Sequence, residues 1–222
     1  MALRSRATPS QPPQARAWAL TLLMAGTIGV AVATATVYAN YNDPWRPLAH
    51  SLGLWAVMAS AVAFRRPPVL AIGAPIASLG TAVVTFYVGL KVGHDIRWAD
   101  SGSHMSINWD RIGSWLVLAV VAGVAFGLLG FFAPRPEWKG AAATAALMGL
   151  LVADAYRQFS RNRDIDVSVI VDVLAALAVF VIATRDNKRP LSTLGLTIAA
   201  SALGLVAVSA PDFIEQGLIE GF

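Results

Sequence analysis

Two aspartates stand where carboxylates are costly. Asp154 lies in "LLVADAYRQF", residues 150–159, and the run behind it back to Gly140 carries no charge. Asp172 lies in "VSVIVDVLAAL", a few residues into the next apolar run. An acidic side chain at bilayer depth costs about 3 kcal/mol on insertion scales, so it is kept where it pairs or functions. The turn between the two runs falls near Asn162, eight residues from one carboxylate and ten from the other. At a rise of about 1.5 Å per residue, antiparallel helices bring both to nearly the same depth.

That pairing could do two kinds of chemistry. Set against Lys91 or Arg157, the carboxylates stay ionised and can fix a cationic or hydrogen-bonding ligand. Facing each other without a cation, they share a proton, which makes a proton-coupled step possible. Plainer readings stand beside these. Asp154 can pair with Arg157 one turn on, whereas Asp172 has no basic residue three or four positions away and needs a partner from another helix.

Other polar groups gather at the same ends of their runs. His50 sits in "PLAHSLGLW", Tyr87 and Lys91 end the third run, and Trp115 begins the fourth with Trp109 nearby. His50 titrates near neutral pH in an ordinary setting. Tyr and Trp supply flat apolar walls with one polar edge, or simply an aromatic belt at the interface. Residues 92–111, "VGHDIRWADSGSHMSINWDR", form the longest connection and are expected to fold over the mouth as a lid. The spacing of His94, Asp95 and His104 matches no metal motif, so no metal is expected. Walker, H-E-x-x-H, G-x-S-x-G and dinucleotide motifs are absent, and so is any expected cofactor or catalytic residue.

The elements that must position these groups are membrane spans. Of 222 residues, 56% are hydrophobic and 14% charged, with a mean hydropathy of +0.60. Seven apolar segments fit the bilayer: 17–38, 47–64, 69–91, 112–133, 140–158, 167–184 and 191–210. The fold class is an all-α polytopic membrane helix bundle with a basic tail at 1–16, the bundle at 17–210 and an acidic tail at 211–222. Net charge is +4, which reads as topology rather than nucleic-acid binding. "RRPP", "PRPEWK" and "RDNKRP" are short basic turns of the cytoplasmic kind. The N-terminus is therefore placed inside and the C-terminus outside, in a bacterial inner membrane. Zero cysteines exclude disulfides and thiol catalysis.

Small residues recur every fourth position, at Ala25, Gly29 and Ala33 in the first span and at Gly123 and Gly127 in the fourth. They let helices approach closely, inside the bundle or against a partner subunit. Pro75 in "AIGAPIASLG" should bend the third span and free a carbonyl for neighbouring groups.

The stretches "YANYNDPWRPLAHSLGLWAVMASAVAFRRPP", "GTAVVTFYVG" and "SWLVLAVVAGVAFGLLG" resemble a family of actinobacterial membrane proteins of about this length with no assigned function. In outline the chain also resembles the substrate-binding subunits of energy-coupling-factor transporters. That resemblance implies solute capture on the outer side, and docking of a membrane partner through Ala25, Gly29 and Ala33. The seventh span and the acidic tail depart from it.

The expectation is a solute-binding membrane protein, a transporter or its binding subunit, with Asp154, Asp172, His50, Lys91, Tyr87 and Trp115 lining an outward-facing pocket. The alternative is a non-catalytic accessory or assembly subunit in contact with membrane lipid and a partner. A membrane enzyme using Asp172 and His50 as acid and base ranks third.

Overall fold

The computed structural model describes residues 13–101, 105–186 and 189–220, with side chains left aside at both ends of the chain and around 101 and 186. Arg4, Arg6, His104, the side chains of the acidic C-terminal segment, and Gly102 and Ser103 of the 92–111 connection lie outside the described residues. The chain is all-α. Among the described residues the elements are α1 (Pro13–Asn40), α2 (Leu52–Ala63), α3 (Pro68–Arg97), α4 (Trp109–Phe132), α5 (Trp138–Asn162), α6 (Val167–Asp186) and α7 (Pro190–Glu220). Short 3₁₀ turns at Arg46–His50 and Ala99–Ser101 complete them.

Five helices, α1, α3, α4, α6 and α7, are long and apolar enough to cross a membrane. The other two expected spans differ for physical reasons. α2 begins at Leu52 rather than 47, because Pro47 lies in the 3₁₀ turn and the chain is extended at Ser51. Its 12 residues reach only about 18 Å, short of a hydrocarbon core of about 30 Å. α5 is rich in alanine and glycine in its first half, carries Asp154 and Arg157 further on, and buries a long face from Gly140 to Gln158. A helix shielded by its neighbours needs no lipophilic exterior, so its hydropathy is low.

Two layers meet along α2 and where α4 packs on α5. α3 packs against α1 and α4, α5 packs against α6 and α7, and α2 touches α3, α4, α5 and α6. Small residues make these approaches possible. A Cβ at Gly29 would run into Ser78 O and Thr81 Oγ1 of α3, and Ala25 and Ala33 are also buried. The stripe offered above to a partner is thus occupied within the chain by α3. The backbone of Gly127 lies against Ala71 O, the carbonyl whose helical donor is missing at Pro75.

The helices also run past their apolar stretches. α3 continues through residues 92–97, which the sequence assigns to a loop, and α7 continues through 211–220, which it assigns to a tail. Hydropathy marks the depth of the bilayer, whereas a helix ends where its backbone loses partners. At the end of α3, Arg97 Nη1 donates to Tyr41 O at 3.0 Å and Tyr41 Oη donates to Leu90 O at 2.7 Å. These bonds carry the helix beyond its last apolar turn. α6 starts cleanly because Asp166 Oδ1 accepts from the N–H groups of Ser168 and Val169 at 2.9 and 3.2 Å.

Candidate functional site

Ser51 is the hinge of the site. It sits between the 3₁₀ turn and α2 with φ −79° and ψ 128°, and it is fully buried at 0% exposure. A break in a helix at this depth leaves backbone donors that no water can satisfy. The N–H of Gly53, in the first turn of α2, donates to Asp154 Oδ2 at 2.9 Å. An acid from α5 therefore caps α2 across the bundle, at the end where the helix dipole favours negative charge.

The Ser51 hydroxyl lies between the two acids. Its Oγ is 3.1 Å from Asp154 Oδ2 and 3.4 Å from Asp172 Oδ1. One hydroxyl has one proton to donate, so it serves one acid at a time. Both aspartates are at 0% exposure, sealed from solvent in this conformation. The two carboxyl groups therefore face one another across a single hydroxyl.

Their partners are unequal. Asp154 Oδ1 accepts from Arg157 Nε and Nη2 at 3.2 and 2.9 Å, a bidentate pair one helical turn apart. Its other oxygen is taken by Gly53 and Ser51, so Asp154 is fully satisfied. Asp172 Oδ2 is buried with no hydrogen-bond partner among the described residues. Its Oδ1 presses on the backbone of Gly53, where an added Cβ would overlap it. Gln158, one turn beyond Asp154, donates from Nε2 to His50 O at 3.3 Å and holds the 3₁₀ turn over the site.

The expected site residues fall into two groups. Asp154 and Asp172 meet, as the depth argument requires, whereas the His50 carbonyl accepts from Gln158 beside them and its side chain reaches the surface. Lys91, Tyr87 and Trp115 belong to the layer of α1, α3 and α4. Lys91 pairs with Asp95 four residues on, Tyr87 stacks edge-on to Phe86, and Trp115 is half-buried on α4. Near them Tyr41 and His94 both stack on Trp98. Partial burial pushes the Tyr41 hydroxyl above its ordinary value, against the opposing pull of Arg97.

Sequence reasoning missed Ser51, Gly53 and Gln158. Ser51 carried a signal, a serine directly before an apolar run, which reads as a helix start. Gly53 and Gln158 carried none, because their roles depend on residues about a hundred positions away.

The profile of the Family of unknown function (DUF6518) matches residues 11–213. The chain belongs to that family. The matched region of this DUF6518 member takes in all of the acid pair, its serine hinge and the capped helix. No curated protein and no solved structure matches the chain.

Proposed function

We propose that this DUF6518 member is a multi-pass protein of the bacterial cell membrane that binds a small polar or cationic solute, as a carrier or its binding subunit, and couples the event to a proton shared by Asp154 and Asp172. In this reading α2 and α5 complete a seven-helix bundle, with the N-terminus cytoplasmic and the basic turns on that side. Measured from their basic ends, Asp154 lies about 24 Å along α5 and Asp172 about 20 Å along α6, near the outer third of the bilayer.

One observation carries the proposal. Two buried acids from neighbouring helices flank one serine hydroxyl, and a single guanidinium pairs with one of them. The unpartnered Asp172 Oδ2 is the atom that a solute's ammonium or hydroxyl donor would engage. A broken helix at the meeting of two helical layers is also the arrangement by which membrane carriers expose polar backbone to a ligand. Opening of α2 away from α5 would admit the solute. The outer group around Lys91, Tyr87 and Trp115 would then line the approach rather than the binding point.

A second reading has its own support. Asp154 is completely paired, which suits a clamp that locks α2 in place within an accessory or assembly subunit.

Thermal unfolding of the detergent-purified protein against a library of small amines, polyols and organic acids, with Asp172→Asn alongside, separates the two. A compound that stabilises the parent but not the variant supports solute binding. An Asp172→Asn protein as stable as the parent, with no stabilising compound for either, supports the accessory role.

A further inference from the structure

α1 and α2 both rest on α3 but scarcely touch each other. Between them runs a cleft of about 320 Å³ whose walls include Met24, Ile28, Leu54, Val57 and Ala61, with Ala74 of α3 at its floor and Arg66 at its mouth. Its walls belong to membrane-depth helices, and both Met24 and Ile28 are exposed along it.

Arg66 differs from the basic residues around it. Arg65 lies over the Phe64 ring, and Arg135 lies over Phe131 and Phe132. Arg66 is exposed, and its guanidinium has no ion pair or ring contact among the described residues. It stands at the end of the bundle where the other basic turns collect, the level of lipid headgroups. An apolar trough at chain depth that ends at a free guanidinium is complementary to one ligand chemistry, an acyl chain carrying a phosphate.

We propose that the α1–α2 cleft is a binding site for an anionic phospholipid, with one acyl chain laid along Met24, Ile28 and Val57 and the headgroup phosphate on Arg66. A neutral lipid would fill the trough without using Arg66. A free phosphate would use Arg66 without the trough, and a helix from a partner protein would leave the guanidinium without its anion.

Native mass spectrometry of the delipidated full chain, titrated with phosphatidylglycerol and with phosphatidylcholine of identical acyl chains, tests this directly. The parent is expected to retain phosphatidylglycerol in preference. Arg66→Gln should reduce that preference about five-fold, the equivalent of about 1 kcal/mol for one guanidinium near an anionic headgroup. Arg135→Gln should leave it unchanged. Ala61→Trp, at an exposed position in the wall, should diminish binding of both lipids while the thermal unfolding profile stays that of the parent. Equal binding of the two lipids to the parent would overturn the proposal. So would an equal loss of preference in Arg66→Gln and Arg135→Gln, displacement of the lipid by sodium phosphate alone, or lipid binding unaffected by Ala61→Trp in a chain that co-purifies with a membrane partner on this face.

Discussion

The N–H of Gly53 donates to the carboxylate of Asp154 at 2.9 Å, across 101 residues of sequence. This bond joins the start of α2 to α5 about two turns before that helix ends, and so adds a buried polar tie to the packing between the two helical layers. It also explains why an acid can be buried there, since the backbone donor, Ser51 and Arg157 replace the water the carboxylate has lost.

Removing that acid should be severe. Asp154→Ala leaves the Gly53 N–H buried without its acceptor and takes from the partly buried Arg157 its bidentate carboxylate, and breaking a buried pair in this way costs about 3–5 kcal/mol. Ser51→Ala removes one neutral hydroxyl and should cost about 1 kcal/mol. Thermal unfolding of both single variants and the double variant checks the ranking. The double variant should be less destabilised than the sum of the singles, because the two residues share a contact.

Gly53→Ala should damage the fold by contact alone. Its Cβ would overlap Asp172 Oδ1 and meet the Leu151 side chain, a form of overpacking that costs about 1–3 kcal/mol. At about 2–4 °C per kcal/mol for a chain of this size, the midpoint should fall by several degrees. Gly113→Ala is the control, because open space surrounds its added methyl group. A midpoint that falls equally in both variants would mean that Gly53 is not set by Asp172.

Gly29→Leu should disturb folding within the single chain. The added side chain meets the backbone of Ser78 and the hydroxyl of Thr81, so α1 can no longer seat on α3. The expected readout is loss of monodisperse protein on size exclusion. A well-folded variant that merely fails to bind a partner would show that this stripe faces outward after all.

Asp166 makes a pH-dependent contribution. Burial alone would raise its carboxyl, but hydrogen bonds from Ser168, Asn162 and the Val169 N–H outweigh that and hold it below its ordinary value. A lowered native value means stability that is present above the unfolded value of about 3.9 and lost as pH falls through the native one. Asp166→Ala should therefore cost about 1 kcal/mol at neutral pH, as for other helix caps. The gap from the parent should narrow as pH drops below about 4. Urea unfolding at a series of pH values measures it.

Much of this arrangement was legible in residue types and spacing. Apolar runs located all seven helices, and the rise per residue placed Asp154 and Asp172 at one depth. The three-residue step identified Arg157 as a partner. Lys91 and Asp95 carried an equally plain four-residue signal for a local pair. Other features depend on how distant helices stack, which periodicity does not encode. Hydropathy cannot say that α3 packs away from α5, so it could not separate Lys91, Tyr87 and Trp115 from the acid pair. Nor could it show that the second apolar run is broken at Ser51, because the break is stabilised by residues 103 and 121 positions away.

The proposed function requires Asp154 and Asp172 to hold one exchangeable proton between them. Infrared difference spectroscopy of the protein reconstituted in lipid, recorded across a pH titration in light and heavy water, reads the carbonyl stretch of a protonated carboxyl directly. One deuterium-sensitive carboxyl band is expected in the parent, absent from Asp172→Asn and altered in Ser51→Ala. A titration in which the parent and Asp172→Asn give the same carboxyl spectrum throughout would contradict it and leave the pair a structural clamp.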